Sequence, residues 1–234
     1  MRGMGRRGLA AALAGTMLLL LTACGGVTEE DVTVYIQGEM DACYLGQYNE
    51  DYMALMDYTE EEAAEGYQWN VNAEADRLLY FMDVQYYDDD VMAAAEDLVR
   101  QIYAKSRYTV GTTTRLEDGN FTTEVLVEPI ELMHLVTEEE IQDIFAQVCA
   151  DAGYLDYDQI NALSEEEYNQ LEIAYAYQIL ALLESLLPEI TYGAQQSTMI
   201  QMKLDEDNNY VMVGNNWTDM DDLIIDYAGT FLAE

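Results

Sequence analysis

Three times in this chain a hydroxyl residue is followed at once by three glutamates: Thr59-Glu60-Glu61-Glu62, Thr137-Glu138-Glu139-Glu140 and Ser164-Glu165-Glu166-Glu167. Each reads as a capping box. The hydroxyl accepts a backbone N–H left orphaned at a helix start, and the last glutamate reaches back to the N–H of the capping residue. Behind each box, apolar residues recur at three- and four-residue steps, which is the helical period. Val71, Ala75, Leu78, Leu79 and Met82 follow the first box. The second opens a helix from Thr137 to Ala152 that Gly153 stops. The third opens the longest helix, Ser164 to Leu187, with Leu171, Ala174, Tyr175, Gln178, Ile179, Leu182 and Leu186 on one side and Pro188 as its breaker. Any fold must seat these three helices.

Further helices have weaker signals. Val32, Tyr35, Ile36, Met40, Cys43 and Tyr44 give helical spacing over Glu30 to Gln47, and Asn49 can cap a short helix to Met56. Asp88 reads as the cap of a helix through Val91, Ala95, Leu98, Val99 and Ile102, with Lys105 and Arg107 where the helix dipole favours cations. Thr218 is the expected cap of a last helix, Asp219 to Tyr227, ending at Gly229.

Between helices the period changes to two. Tyr108 to Arg115 and Asn120 to Glu128 are rich in Thr, Val and Tyr, and Asp118-Gly119 between them is a hairpin signal. Thr191 to Leu204 and Tyr210 to Val213 form a second pair around Asp205 to Asn209. Strands joined by tight turns pair antiparallel, and the helices do not alternate with single strands. The expected fold is therefore α+β: a four-stranded antiparallel sheet of two hairpins with helices packed on one face. Element order alone suggests a cystatin-like or NTF2-like arrangement by analogy.

The N-terminus has a different character. Arg2, Arg6 and Arg7 precede an apolar stretch from Leu9 to Leu21, and Leu21-Thr22-Ala23-Cys24 closes it. A basic start, a short apolar run and a small-residue cut site make a secretory signal, too short to span a bilayer core comfortably. A cysteine directly after the cut is the acceptor that a bacterial lipoprotein needs. Residues 1–23 are thus expected as signal peptide, 24–30 as tether and 31–234 as one acidic domain, with Cys24 lipidated on the extracytoplasmic face of the cell membrane.

Cleavage there removes three of nine basic residues and none of 46 acidic ones, leaving a net charge of -40 over 211 residues. Such charge argues against nucleic acid and against attraction to anionic lipid. It suits a cationic ligand or a basic protein partner. Disorder is not the expectation, because half the chain is apolar, with 19 Tyr, 13 Met and only 2 Pro.

The segments Leu21 to Gly26, Val34 to Met53 (VYIQGEMDACYLGQYNEDYM), Ser106 to Gly111 (SRYTVG) and Val127 to Met133 (VEPIELM) resemble a family of cell-surface lipoproteins from Gram-positive anaerobic bacteria. The resemblance covers most of the chain after the signal. It implies location and fold unity, and carries over no catalytic residue.

With Cys24 committed to lipid, Cys43 and Cys149 remain, and an exported chain permits a bridge between them. Both sit in apolar helical segments, where a buried thiol is equally at home. Asp205-x-Asp207-x-Asn209 matches the first positions of a calcium loop, but Tyr210 stands where glycine belongs and Asn216 where glutamate belongs. It reads better as a turn, and no metal or cofactor is expected. Asp88-Asp89-Asp90 and Asp219-Met220-Asp221-Asp222 double as helix-start acids. His134 is the single histidine and cannot build a His-rich zinc site. Trp69 and Trp217 read as core, and Tyr67, Tyr80, Tyr86 and Tyr87 as partly exposed. No phosphate loop, dinucleotide fingerprint or metalloprotease motif occurs. The leading expectation is a non-enzymatic ligand- or partner-binding domain. The alternative is a carboxylate-dependent envelope hydrolase, and a third reading is the solute-binding lipoprotein of a transporter.

Overall fold

The computed structural model describes residues 26–206 and 209–228. Cys24 with the signal segment, Asp207 and Gly229 lie outside the described residues. In chain order the elements are α1 (Glu29–Met40), a π-helical turn (Asp41–Leu45), α2 (Glu50–Met56), α3 (Glu60–Phe81), α4 (Asp89–Tyr103), β1 (Arg107–Val110), β2 (Thr114–Arg115), β3 (Phe121–Glu128), α5 (Glu138–Asp151), α6 (Tyr157–Asn161), α7 (Glu165–Leu186), β4 (Gln196–Leu204), β5 (Tyr210–Met212) and α8 (Asn216–Asp221). The protein is mixed α and β, with an antiparallel sheet and helices packed around it.

All three capping boxes form. Thr59, Thr137 and Ser164 each accept the N–H of the third glutamate, and that glutamate takes the N–H of its capping residue. A fourth box, Thr28 with Asp31, opens α1. The same bonds hold the Glu62, Glu140 and Glu167 carboxyls below the usual range. Replacing Ser164 with Ala should lower stability by about 1 kcal/mol. A urea midpoint unchanged from wild type would show that the α7 cap contributes nothing.

The described chain divides into two compact units. The first gathers residues up to Tyr67, Ser106–Pro129 and Ala194–Ile224. Its sheet runs β1-β3-β4-β5, with β2 also paired to β3. Arg107 faces Glu128 and Val110 faces Val125 across β1–β3; Phe121 faces Met202 across β3–β4; Leu204 faces Tyr210 across β4–β5. The Asp118-Gly119 turn closes as expected, with Gly119 at φ 86° and its N–H on the Leu116 carbonyl.

The strand expected from Tyr108 to Arg115 is broken in two. Thr113 turns inward and is buried. Its hydroxyl lies 2.7 Å from Thr123 Oγ1 of β3 and accepts from Thr33 of α1 at 2.7 Å. Three hydroxyls thereby satisfy one another where a methyl would otherwise sit. Gly111 allows the interruption, since a Cβ there would stand 3.0 Å from the Glu124 carbonyl oxygen. On β3, Phe121, Thr123, Val125 and Val127 point inward. Ile200 and Met202 do so on β4. α1 packs on β1 and β3, and α8 on β4.

The second unit gathers Gln68–Lys105, Ile130–Gly193 and the residues from Ile225. Val71, Ala75, Leu78, Leu79 and Met82 on the α3 side, and Val91, Ala95, Leu98, Val99 and Ile102 of α4, are all buried. α7 packs on α4 and α5. Its buried face is Leu171, Glu172, Tyr175, Ala176, Ile179, Leu180 and Leu183. That is rotated from the expected stripe, and Ala174 and Gln178 are exposed. Two polar groups pin it: Glu172 accepts the Gln85 N–H at 2.8 Å, and Tyr175 donates to the Met82 carbonyl at 3.0 Å. The resulting cost of burying a carboxylate is offset by bonding it to the connection between α3 and α4.

The last helix departs most from expectation. It spans Asn216–Asp221, and Thr218 does not cap it. The Asn216 side-chain oxygen accepts the Gln201 N–H of β4 instead. Ile225 and Asp226 leave helical geometry because Ile130 claims them. Ile130 bridges Ile225 in parallel, and its carbonyl accepts the Asp226 N–H at 2.9 Å. Beyond it, Tyr227 stacks on Phe81 with ring centroids 4.4 Å apart and donates its hydroxyl to the buried Glu74.

Candidate functional site

The residues singled out by sequence take mainly structural places. Asp205 and Asn209 close the β4–β5 turn on each other, with the Asn209 N–H on Asp205 Oδ1 at 2.8 Å. Among the described residues, no group of three or more His, Cys, Asp or Glu side chains is arranged to hold a metal ion. Asp88 caps α4 through the Val91 N–H. Asp221 accepts the Tyr44 hydroxyl at 2.7 Å, and Tyr44 stacks on Trp217. His134 stands on a 3-10 turn with Nε2 3.0 Å from Asp226 Oδ2. Tyr80 and Tyr86 are exposed. Tyr67 lies against Gly46, and Tyr87 donates to Asp76. Cys43 and Cys149 are both buried thiols rather than halves of a bridge. Cys43 belongs to the first unit and faces Glu39; Cys149 sits in α5 of the second.

The first unit holds a polar pocket of about 360 Å³, a size suited to small ligands. Its floor comes from the end of α1 and the π-helical turn, through Gln37, Asp41 and Leu45. The start of β1 adds Ser106 to Thr109, the end of β3 adds Glu128, and Gln195 closes the approach to β4. The π-helical turn is what presents Asp41 here. Single π turns inside helices are recurrent at functional sites, because the extra residue shifts side chains off the regular face. Gly46 ends that turn at φ 60°, a conformation glycine adopts without strain.

Asp41 is the centre of the pocket's hydrogen bonding. Its Oδ1 accepts the Tyr108 hydroxyl at 2.7 Å and the Gln37 amide at 2.9 Å. Among the described residues, no hydrogen bond reaches its other oxygen. Burial, and then the bond to Asp41 and its charge, push the Tyr108 phenol well above the usual tyrosine range. Tyr108 is therefore a donor at any physiological pH. Arg107 donates to Glu128 Oε2 at 3.3 Å across the β1–β3 pair. Ser106 Oγ is buried and, among the described residues, has no hydrogen-bond partner. A buried hydroxyl without a partner is uncommon in a folded protein and calls for a reason.

A second polar cluster lies nearby in the same unit. Glu39 of α1 is 4% exposed, and the Tyr52 and Tyr35 hydroxyls and the Cys43 thiol donate to it, the thiol at 3.8 Å. Burial raises its carboxyl to about 7, against the opposing pull of those three donors. Sequence periodicity contained a hint, since Glu39 falls on the same helical face as Val32, Ile36 and Cys43. Nothing in the sequence marks Ser106 or Asp41, whose roles arise from the meeting of a helix end with two strands.

No protein-family model matches the chain, and no curated protein matches it. Its fold is similar to the crystal structure of a putative lipoprotein (ycdA) from Bacillus subtilis. The two are 14% identical with a TM-score of 0.54, over 84% of this chain and 56% of that one. The chain thus spans little more than half the length of that structure, and what the two share is the fold.

Proposed function

We propose that this protein is an extracytoplasmic lipoprotein, held to the membrane by lipid on Cys24, whose acidic body binds a ligand or partner without catalysing a reaction. The observation that carries the reading is Leu21-Thr22-Ala23-Cys24 after three arginines and an apolar run. The similarity of fold to a Bacillus subtilis lipoprotein supports it. So does a pocket of about 360 Å³ in the first unit, lined largely by polar residues.

A diacylglycerol on Cys24 would bury many methylenes at about 0.8 kcal/mol each, enough for durable retention with a second acyl chain. Cells expressing the wild type and fed radiolabelled palmitate are expected to label the protein and retain it in the membrane fraction. Cys24→Ala is expected to lose the label and appear in the medium or soluble fraction. An alanine variant that stays with the membrane would refute the anchor.

A further inference from the structure

We propose that α2 is a hinged flap, latched by Tyr52 over Gly38 and Glu39, whose opening is driven by charge on Glu39. The flap is short and lightly held. It packs on α1, and Tyr52 is its one buried residue. Left-handed backbone flanks it on both sides, with Gly46 at φ 60° ahead of its cap and Asp57 at φ 54° directly after it. Loop and element-terminal positions of this kind are where a hinge absorbs its rotation. A segment with so few buried contacts opens locally well before the body around it unfolds. The latch is a single side chain. The Tyr52 ring occupies the space that a Cβ on residue 38 would need, and its hydroxyl donates to Glu39.

Glu39 couples this latch to pH. Tyr35, Tyr52 and Cys43 donate to it and favour its charge, but burial outweighs them and raises the carboxyl to about 7. Among the described residues, none of the groups acting on Glu39 is a cation. Tyr58, just past the flap, also feels its charge. β1 and β3 pack on α1 as well. Tyr108 of β1 is turned to Asp41, and the inward residues of β3 are Phe121, Thr123, Val125 and Val127, none of which titrates. The next charges, Asp221 beside Cys43 and Glu62 beside Tyr58, are acidic and oppose ionisation further. An open flap admits water, and in water the carboxyl returns towards 4.5. The closed form thus holds a proton that the open form releases. Opening is favoured as pH rises from 4.5 to 7 and levels off above that. Those two values set a ceiling of about 300-fold on the change in the opening equilibrium.

The test is hydrogen exchange of the full chain in detergent from pH 5 to pH 8, read by mass spectrometry and divided by the rates of unstructured peptides. Amides of α2 are expected to exchange through a local opening nearly independent of low urea. Those of β3 and β4 should need the wider unfolding that urea promotes. The α2 opening should grow by several tens of fold from pH 5 to pH 7 and change little above. Glu39→Gln replaces the titrating group by an amide and should abolish the rise. Glu50→Gln changes an exposed acid at the start of α2 and should keep it. Exchange of α2 with the same free energy and urea dependence as β3 and β4 would overturn the flap. A rise shared by Glu39→Gln, or lost in Glu50→Gln, would overturn its control by Glu39. A wild-type curve flat from pH 5.5 to pH 8 would overturn that control without any variant. Protection of β3 and β4 at pH 5 confirms that each variant is folded.

Discussion

Replacing Gly38 with alanine is expected to destabilise the first unit by roughly 2 kcal/mol or more, although alanine is the better helix former. At this position in α1 a Cβ would stand 2.2 Å from Tyr52 Cγ, 2.3 Å from Cδ2 and 2.4 Å from its Cβ. The last distance decides the outcome. A ring alone can swing aside, but a clash with the tyrosine's own Cβ can be relieved only by moving the α2 backbone. Tyr52 is 2% exposed, so α2 would lift off a packed face. Overpacking of this kind costs about 1–3 kcal/mol or more, against a helix-propensity gain of about 1 kcal/mol. For a chain of this size, each kcal/mol lowers Tm by about 2–4 °C. A Gly38→Ala variant as stable as wild type in thermal melts would show that α2 adjusts without loss. Tyr52→Leu should not restore stability to the Gly38→Ala background, because leucine keeps the Cβ and Cγ that clash.

The second large effect is a loss of stability as pH rises. Glu39 has its carboxyl raised from the ordinary value of 4.5 to about 7, chiefly by burial. The folded protein therefore holds a proton that the unfolded chain releases. This contribution is fully present below about pH 4.5 and is lost as pH rises through about 7. A shift of that size corresponds to roughly 3 kcal/mol. The groups facing Glu39 do not titrate in this window: burial pushes the Tyr35 and Tyr52 phenols and the Cys43 thiol up, and the Glu39 charge pushes them further. Self-repulsion among 46 acidic residues also grows with pH, so wild type alone is not diagnostic. The comparison with Glu39→Gln isolates the buried group. Urea midpoints should fall between pH 5 and pH 8 by clearly more in wild type than in the glutamine variant. Parallel curves would refute a protonated Glu39. Below pH 4.5 the sign reverses, because the capping carboxylates of Glu62, Glu140 and Glu167 lose their charge there.

The helices were legible in the sequence because their starts are local chemistry. A threonine or serine and a glutamate three residues on complete their bonds within one turn, whatever the rest of the chain does. The Asp118-Gly119 hairpin was legible for the same reason. What failed depended on distant partners. Thr113 leaves its strand because Thr33, 80 residues earlier, receives it. α8 ends early because Ile130 takes the backbone that would have continued it. The face of α7 was misread because Glu172, a residue the periodicity counts as solvent-facing, is drawn inside by the Gln85 N–H. The pocket shares this origin. Asp41 looks like one acid among 46 until Tyr108 and Gln37 converge on it.

Neither compact unit is a continuous stretch of chain. The first needs Ala194–Ile224 to complete a sheet begun before residue 130, and the second needs the residues from Ile225. A chain that emerges N-terminus first cannot finish either unit until nearly all of it is out. Until β4 arrives, β3 has β1 and β2 on one side and an open row of backbone donors and acceptors on the other. Such an edge is the ordinary starting point for aggregation, and pairing partners about 75 residues apart in sequence close slowly. The dense negative charge then has a second use. It holds growing copies apart during the interval in which their central strand is still unpaired.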